Sequence, residues 1–297
     1  MEGLSSQGVE VSYRPEISRG DLLKALAAYD GLVVRTKFNI DREIIDAAPQ
    51  LKLIARAGAG MDNVDVEYAE SKGIHCIHAG GANADAVGEH TIAMLLNIYT
   101  KMRQADAQVR AGIWNREANR GTEIKAKTIC IVGYGHTGRA VAKKLKGFEM
   151  NILAYDKYIT DFEEEGMKQA NMNDIFEQAD IITFHIPLTH ETKGMVNMEY
   201  LNKFRKKIYI LNLSRGEILV TPDLVGAMKA GKVIGCGLDV LENEKLDQLN
   251  TQQTTDYQYI MNHPNTIFSP HVGGWTHESY RNISDILLQK ITRYIFS

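Results

Sequence analysis

Cysteine is scarce in this chain. Three occur in 297 residues, Cys76, Cys130 and Cys236. They are odd in number and far apart, which excludes a disulfide framework of the secreted type. Each lies in an apolar, strand-like run and reads as a buried thiol in a reducing compartment. No Cys-x-x-Cys or His-Glu-x-x-His pairing offers a metal site, so no metal is expected. No apolar run approaches a membrane span, and the N-terminus has no signal-peptide pattern; a cytoplasmic protein without a membrane partner is the expectation. Neither charge sign dominates, with 34 Lys and Arg against 37 Asp and Glu. The net charge of −3 and the lack of a basic stripe argue against nucleic acid as a partner. What remains, 44% hydrophobic and 24% charged, is ordinary globular composition, and 297 residues suit two domains better than one core.

What is present is a glycine-rich turn in an informative place. Thr128-Ile-Cys-Ile-Val runs into Gly133-Tyr134-Gly135-His136-Thr137-Gly138, and a helical apolar pattern follows from Ala140 to Leu145. The next apolar run ends in Asp156. A strand, a glycine turn, a helix and an acid about 20 residues on form a dinucleotide-binding pattern. Gly133 permits the tight turn, Gly135 lets the backbone approach a pyrophosphate, and Gly138 lets helix and strand pack closely. The phosphates would meet the N–H groups of the helix N-terminus. Asp156 would accept hydrogen bonds from the adenine-ribose hydroxyls, which favours NAD and repels the extra phosphate of NADP. Lys157, adjacent, blunts that preference slightly.

Around this motif strand and helix patterns alternate, which implies parallel sheets. Before it come strands at Val9–Tyr13, Gly31–Arg35, Leu51–Arg56 and Ile74–His78. Between them lie helices opened by Ser18, Asp41 and Asp65. A long helical pattern runs from about Ala84 to Ala111; its spacing suits a domain connector, a subunit interface or a core helix equally. Asn115–Lys127 is polar and reads as a surface arm. After the motif, Ile181–His185, Ile208–Leu213, Val233–Val240 and Thr266–Ser269 read as buried strands. Thr221-Pro222-Asp223 caps and opens a helix that Gly231 closes. Glu242–Pro264 reads as a loop with a short helix. A last helix, Glu278 to Ile295, has no strand after it and should pack on the first domain. The expected fold is α/β, two doubly wound parallel-sheet domains with a cleft between them. Residues 1–98 plus 272–297 would bind substrate, and residues 99–271 would bind NAD.

Nicotinamide chemistry needs a cation for the substrate carboxylate or carbonyl, a general acid–base, and an acid that tunes that base. Ends of strands are where an open α/β sheet would hold them. Three segments qualify: Ile208–Ser214 ending at Arg215, Val233–Leu238 ending at Asp239, and Thr266–Pro270 ending at His271. His185 also ends a strand and is a rival acid–base. Glu242, Glu244 and Asp247 all lie near the second segment.

At these residues the chain resembles the D-2-hydroxyacid dehydrogenases. The matching pieces are Leu213-Ser-Arg-Gly216, Gly237-Leu-Asp-Val240 with an acid after it, and Ser269-Pro-His-Val-Gly-Gly274. Within that family it is most similar to the 3-phosphoglycerate dehydrogenase branch, through Gly31-Leu-Val-Val-Arg-Thr36, the run from Ala55 to Asp65, and Asn83-Ala-Asp-Ala-Val-Gly-Glu89. The resemblance implies a Rossmann-type NAD domain and a flavodoxin-like substrate domain. It gives Arg215 the substrate carboxylate and carbonyl, His271 the proton, and Glu244 the task of raising the pKa of His271. It sets His136 and Thr137 on the pyrophosphate, and Leu213, Ser214 and Asp239 at the nicotinamide end with Ile186 and Pro187 nearby. Tyr134, His185, Gly273 and Gly274 join that cofactor set. Ala59 and Gly60 would offer backbone donors to the substrate carboxylate beside Asn83, and Arg35 and Arg56 would lie near a substrate phosphate.

The implied reaction is NAD-dependent exchange between D-3-phosphoglycerate and 3-phosphohydroxypyruvate, in a homodimer joined through the long helix and polar arm. A hydroxypyruvate or glyoxylate reductase and a non-catalytic NAD sensor are the alternatives. A formate-dehydrogenase-like activity is disfavoured by Glu244. The chain departs from the family pattern at Lys245, where proline is usual, and at Trp275 and His277, where small residues are more frequent. The family's usual opening strand is not apparent before Val9, and no serine-responsive regulatory domain is expected.

Overall fold

The computed structural model describes residues 2–162 and 165–296. The chain divides into two compact units, Met1–Asn83 with His277–Ser297, and Ala84–Thr276.

The first unit runs α1 (Glu2–Ser5), α2 (Arg19–Ala25), β1 (Gly31–Val34), α3 (Arg42–Asp46), β2 (Leu53–Arg56), α4 (Val66–Ser71) and β3 (His75–His78). Three helices start where a polar side chain takes a first-turn N–H. Ser18 Oγ accepts from Asp21, Asp41 Oδ1 from Ile44 and Asp65 Oδ1 from Tyr68, at 3.1–3.2 Å. The strands form a parallel sheet in the order β1-β2-β3, with Val34, Arg56 and His78 in register at one end. Alternate residues of β2 serve opposite faces. Ile54 packs with Leu22, Leu26, Ile44 and Ala69, whereas Leu53 and Ala55 join a second cluster with Ile77, Leu287 and Ile291.

The predicted strand at Val9–Tyr13 is not formed. Val9 and Val11 pack against the second cluster, but a strand also needs a neighbour to take its ladder hydrogen bonds. Among the described residues β1 is the edge of this sheet, and Val33 is half exposed there.

The second unit runs α5 (Ala84–Thr100), α6 (Met102–Arg110), β4 (Thr128–Val132), α7 (His136–Leu145), β5 (Asn151–Tyr155), β6 (Met167–Gln169), α8 (Met172–Gln178), β7 (Ile181–Phe184), α9 (Met198–Asn202), β8 (Ile208–Asn212), α10 (Thr221–Lys229), β9 (Val233–Leu238), α11 (Thr251–Asn262) and β10 (Thr266–Phe268). The last helix, α12 (His277–Phe296), belongs to the first unit. Seven parallel strands lie in the order β10-β9-β8-β7-β4-β5-β6. The order reverses direction at β4, which puts a ligand crevice at its carboxyl end. Both faces are covered. Cys130 and Val132 of β4 enter one apolar cluster, and Ile129 and Ile131 the other.

Several sequence expectations need correction. The long helix is two helices, because Lys101 takes a left-handed backbone (φ 55°). That break is held by Asn97 Oδ1, which accepts the Arg103 N–H at 3.0 Å, and by Lys101 Nζ, which donates to Ala118 O at 3.1 Å. The α5 face of Val87, Met94, Leu95 and Ile98 packs with Ile129 and Ile131, within the second compact unit. Thr221 is not the cap of α10; it is the first helical residue, and its N–H donates to Glu242 Oε2 at 3.0 Å. The segment expected to be mostly loop carries the twelve-residue α11, started by an Asn250–Gln253 capping box. Strand β6 had no sequence signal. The three thiols lie in β3, β4 and β9, and burial pushes Cys130 and Cys236 up to about 12, which leaves them unreactive.

Ile291 in α12 is 4% exposed and packs beneath β2 and β3. Ile291→Ala should cost about 2–5 kcal/mol and lower the urea midpoint of the transition that unfolds the first unit. An unchanged midpoint would show that α12 does not hold that sheet.

Candidate active site

The glycine loop leaves β4 at a strand end flanked by β5 and β7. Gly133 has φ +95°, and a Cβ there would sit 2.7 Å from the His185 carbonyl carbon. A Cβ on Gly138 would come within 3.0 Å of the Gly133 carbonyl carbon. Both positions therefore require glycine. Gly135 is the N-cap of α7 and faces open space, and His136 and Thr137 begin the first turn, whose N–H groups have no intrahelical acceptor. Asp156 closes this end. Its Oδ2 accepts the Tyr134 N–H at 2.7 Å, and its Oδ1 accepts those of Tyr158 and Ile159 at 2.9 and 3.0 Å. Burial opposes the charge, yet these N–H donors and Arg139 hold the carboxyl below its ordinary value. The Tyr134 ring is buried and stacks on Phe162 at 4.3 Å, so its contribution is to pack the loop.

His185 follows β7 and is a poor acid–base. Burial pushes its imidazole down to about 3, which keeps it neutral. Thr183 Oγ1 lies 2.9 Å from its Nε2, and its buried Nδ1 has no partner among the described residues. Ile186 packs at Gly133, and the Pro187 carbonyl accepts from Thr192 Oγ1 at 2.7 Å.

The other strand ends bring together Arg215, Glu244 and His271. His271 stands in a left-handed conformation (φ 55°), and its Nδ1–H donates to Glu244 Oε1 at 2.9 Å. That bond occupies Nδ1, so any proton exchange would fall to Nε2. Glu244 raises the imidazole above its ordinary value; burial and Arg215 oppose, and Asp239 assists. In return His271 holds Glu244 below the usual carboxylate range, with Arg215 contributing. Of the neighbouring acids, Glu242 is engaged at the start of α10, and Glu244 is the one bonded to the imidazole among the described residues. The loop that bears Lys245 is held without proline: the Asn243 N–H donates to Tyr257 Oη at 2.8 Å, and Asn243 Oδ1 accepts the Lys245 N–H at 3.0 Å.

Two residues that the sequence reading did not single out for positioning build these turns. Asn212, buried at the end of β8, accepts from Ser214 N–H and Oγ and donates from Nδ2 to Arg215 O at 2.8 Å. It thereby shapes the Leu213–Arg215 turn. Asp239 is 3% exposed and spends its carboxylate on the turn of His271. Val272 N–H and Gly273 N–H donate at 2.9 and 2.8 Å, and Ser269 Oγ donates at 2.5 Å. His90, inside α5, donates in turn to Ser269 Oγ at 2.8 Å. Gly274 completes this turn, and exposed Trp275 follows it. A strand-end Asn and a Ser beside the His were the available signals.

In the first unit, Arg35 lies 5.3 Å from the Tyr280 ring centroid, and Arg56 covers Gly58 with its Nε 3.4 Å from Asn63 Oδ1. Asn63 Nδ2 donates to the carbonyls of Arg35 and Phe38. His78, in register with Arg56, sets its Nδ1 2.6 Å from Ala59 O, and a carbonyl can only accept. Among the described residues the N–H groups of Ala59 and Gly60 have no acceptor. Asn83 lies half-buried just before α5.

Residues 92–273 match the model of the D-isomer specific 2-hydroxyacid dehydrogenase, NAD binding domain. The chain belongs to that family. The D-3-phosphoglycerate dehydrogenase of Archaeoglobus fulgidus is 35% identical over 97% of this chain and 54% of its own. The hydroxypyruvate reductase of Thermotoga maritima is 33% identical over 93% of this chain and 88% of its own. A solved glyoxylate reductase from Paecilomyes thermophila superposes with a TM-score of 0.86 at 27% identity, over 98% of this chain and 89% of that one. This member of the family spans about half the length of the phosphoglycerate dehydrogenases it matches. NAD is the cofactor, and the residues fit it: two forced glycines, an open helix N-terminus, an acid at the next strand end and the unpartnered His185 Nδ1. No cluster of metal-binding side chains occurs among the described residues, and no described helix is long and apolar enough to cross a membrane.

Glu244→Gln removes the charge that raises His271. By NMR titration of the imidazole, wild type should titrate above the ordinary value of 6.5, and the variant lower. Identical titration curves would show that the pair is not electrostatically coupled.

Proposed function

We propose that the protein interconverts a D-2-hydroxyacid and its 2-oxoacid with NAD, and that the pair is D-3-phosphoglycerate and 3-phosphohydroxypyruvate. The observation that carries this reading is the His271–Glu244 pair at 2.9 Å, in which the carboxylate raises the imidazole above its ordinary value and leaves Nε2 for exchange. The bound nicotinamide supplies or accepts the hydride. Arg215 holds the substrate carboxylate and polarises the carbonyl. In reduction His271 gives its Nε2 proton to the carbonyl oxygen, and in oxidation it removes the hydroxyl proton. Glu244 stabilises the imidazolium and fixes which nitrogen faces the substrate.

The second unit would bind NAD. In the first unit, the Ala59 and Gly60 N–H groups would take the substrate carboxylate, and Arg35 and Arg56 a phosphate. Guanidinium geometry suits a phosphate dianion. Exposed Met102, Val109, Ile113 and Trp114, on and just after α6, offer an apolar face for a homodimer.

Hydroxypyruvate or glyoxylate reduction is the second reading. It is favoured by relatives at 33% identity that are a glyoxylate reductase and a hydroxypyruvate reductase.

NADH-linked turnover on phosphohydroxypyruvate, hydroxypyruvate and glyoxylate separates the readings. The highest kcat/KM should fall on the phosphorylated substrate; a preference for glyoxylate would favour the second reading, and no turnover on any would favour an NAD-sensing module. His271→Ala should lower kcat by a factor of roughly 100 to 10,000 while leaving NADH affinity nearly intact; near-wild-type turnover would falsify the acid–base assignment. Arg56→Ala should raise KM for phosphohydroxypyruvate well above its effect on glyoxylate, and equal effects would retire the phosphate role.

A further inference from the structure

Lys157 follows Asp156 directly, just past the end of β5. Its ammonium is ion-paired with the carboxylate of Glu191 and lies 5.4 Å from the Tyr158 ring centroid. Glu191 comes from the turn after β7. Strands β5 and β7 are the two neighbours of β4, so the pair reaches across the carboxyl end of the strand that carries the glycine loop. Both ends are anchored. The first turn is fixed by the Tyr158 and Ile159 N–H bonds to Asp156. The second is fixed by reciprocal bonds between Thr189 and Thr192, at 2.8 and 3.2 Å, and by Thr192 Oγ1 donating to Pro187 O.

An exposed ion pair adds little to stability. Its consequence is local charge. NADP differs from NAD by a phosphate on the adenine ribose, and a cation beside the ribose-reading acid is what accommodates that phosphate. The charged groups at this end are Asp156, Lys157, Glu191 and Arg139, with His190 beside Glu191. The Arg139 guanidinium lies 4.6 Å from the Tyr134 ring centroid, and Lys157 is neutralised by its partner.

We propose that Glu191 is a cofactor-specificity residue: by pairing with Lys157 it withholds from the 2′-phosphate position the cation that follows Asp156, and so keeps the site selective for NAD over NADP. The inference rests on the NAD-binding reading of the second unit and extends it to a residue outside the glycine loop. It also bears on how a family site with a lysine next to its acid can remain selective.

The test is fluorescence titration of the 297-residue chain with NADH and with NADPH, for wild type, Glu191→Gln and Glu191→Gln combined with Lys157→Gln. Both side chains are about half exposed, so the variants should keep the wild-type melting temperature. Glu191→Gln should tighten NADPH by about tenfold and change NADH by less than about twofold, and the double variant should lose the gain. An unchanged ratio of NADPH to NADH affinity in Glu191→Gln overturns the proposal. So does a gain that survives in the double variant, since repulsion by the carboxylate rather than masking of Lys157 would then account for it. Wild-type protein that binds no NADH would instead remove the NAD reading itself, and the inference with it.

Discussion

The candidate active site of this protein is built on one buried carboxylate. Asp239 sits at the end of β9 and collects the Ser269 hydroxyl and the N–H groups of Val272 and Gly273, while its own carbonyl accepts the His271 N–H at 2.7 Å. A histidine in a left-handed conformation is uncommon, and it persists only where its surroundings over-determine it. Here those four bonds do so. They fix the backbone from 269 to 273 so that the imidazole meets Glu244 instead of turning into the apolar interior. His90 extends the network by bonding Ser269. A buried charge is tolerated only when its lone pairs are filled, and Asp239 meets that condition with donors from the same turn it shapes.

The rest of the site follows from the parallel sheet. Gly133 follows β4, Asp156 follows β5, His185 follows β7, Leu213 follows β8, Asp239 follows β9 and His271 lies three residues past β10. Six adjoining strands that all point the same way deliver their following residues to one edge. Buried β-branched and apolar strands make that edge rigid, and the loops beyond it carry the chemistry. The first unit repeats the device on a smaller scale, with Val34, Arg56 and His78 aligned at the ends of three parallel strands.

Much of this was legible in the sequence. Strand positions in the second unit were readable because both faces of the seven-stranded sheet are buried, which yields continuous apolar runs such as Thr128–Val132. Glu244 could be separated from Glu242 and Asp247 only by the family resemblance; the structure adds that Glu242 is engaged at the start of α10. What could not be read depends on tertiary context. The Val9–Tyr13 run has strand composition but no neighbour in the described sheet. Lys101 gives no local sign of a left-handed turn, because its support comes from Asn97 and from the Ala118 carbonyl across the arm. Ser269 and His90 act through bonds between residues far apart along the chain, and the Lys157–Glu191 pair joins two turns that only the sheet order makes neighbours.

The most direct measurement is a crystal structure of the protein with NADH and oxamate, a non-reacting mimic of a 2-oxoacid. His271 Nε2 should lie about 3 Å from the mimic's carbonyl oxygen, with the Arg215 guanidinium on its carboxylate and Glu244 still on Nδ1. An oxamate bound beside the nicotinamide with the imidazole turned away, or with its carbonyl oxygen met by a different acid, would contradict the acid–base role on which this reading of the protein stands.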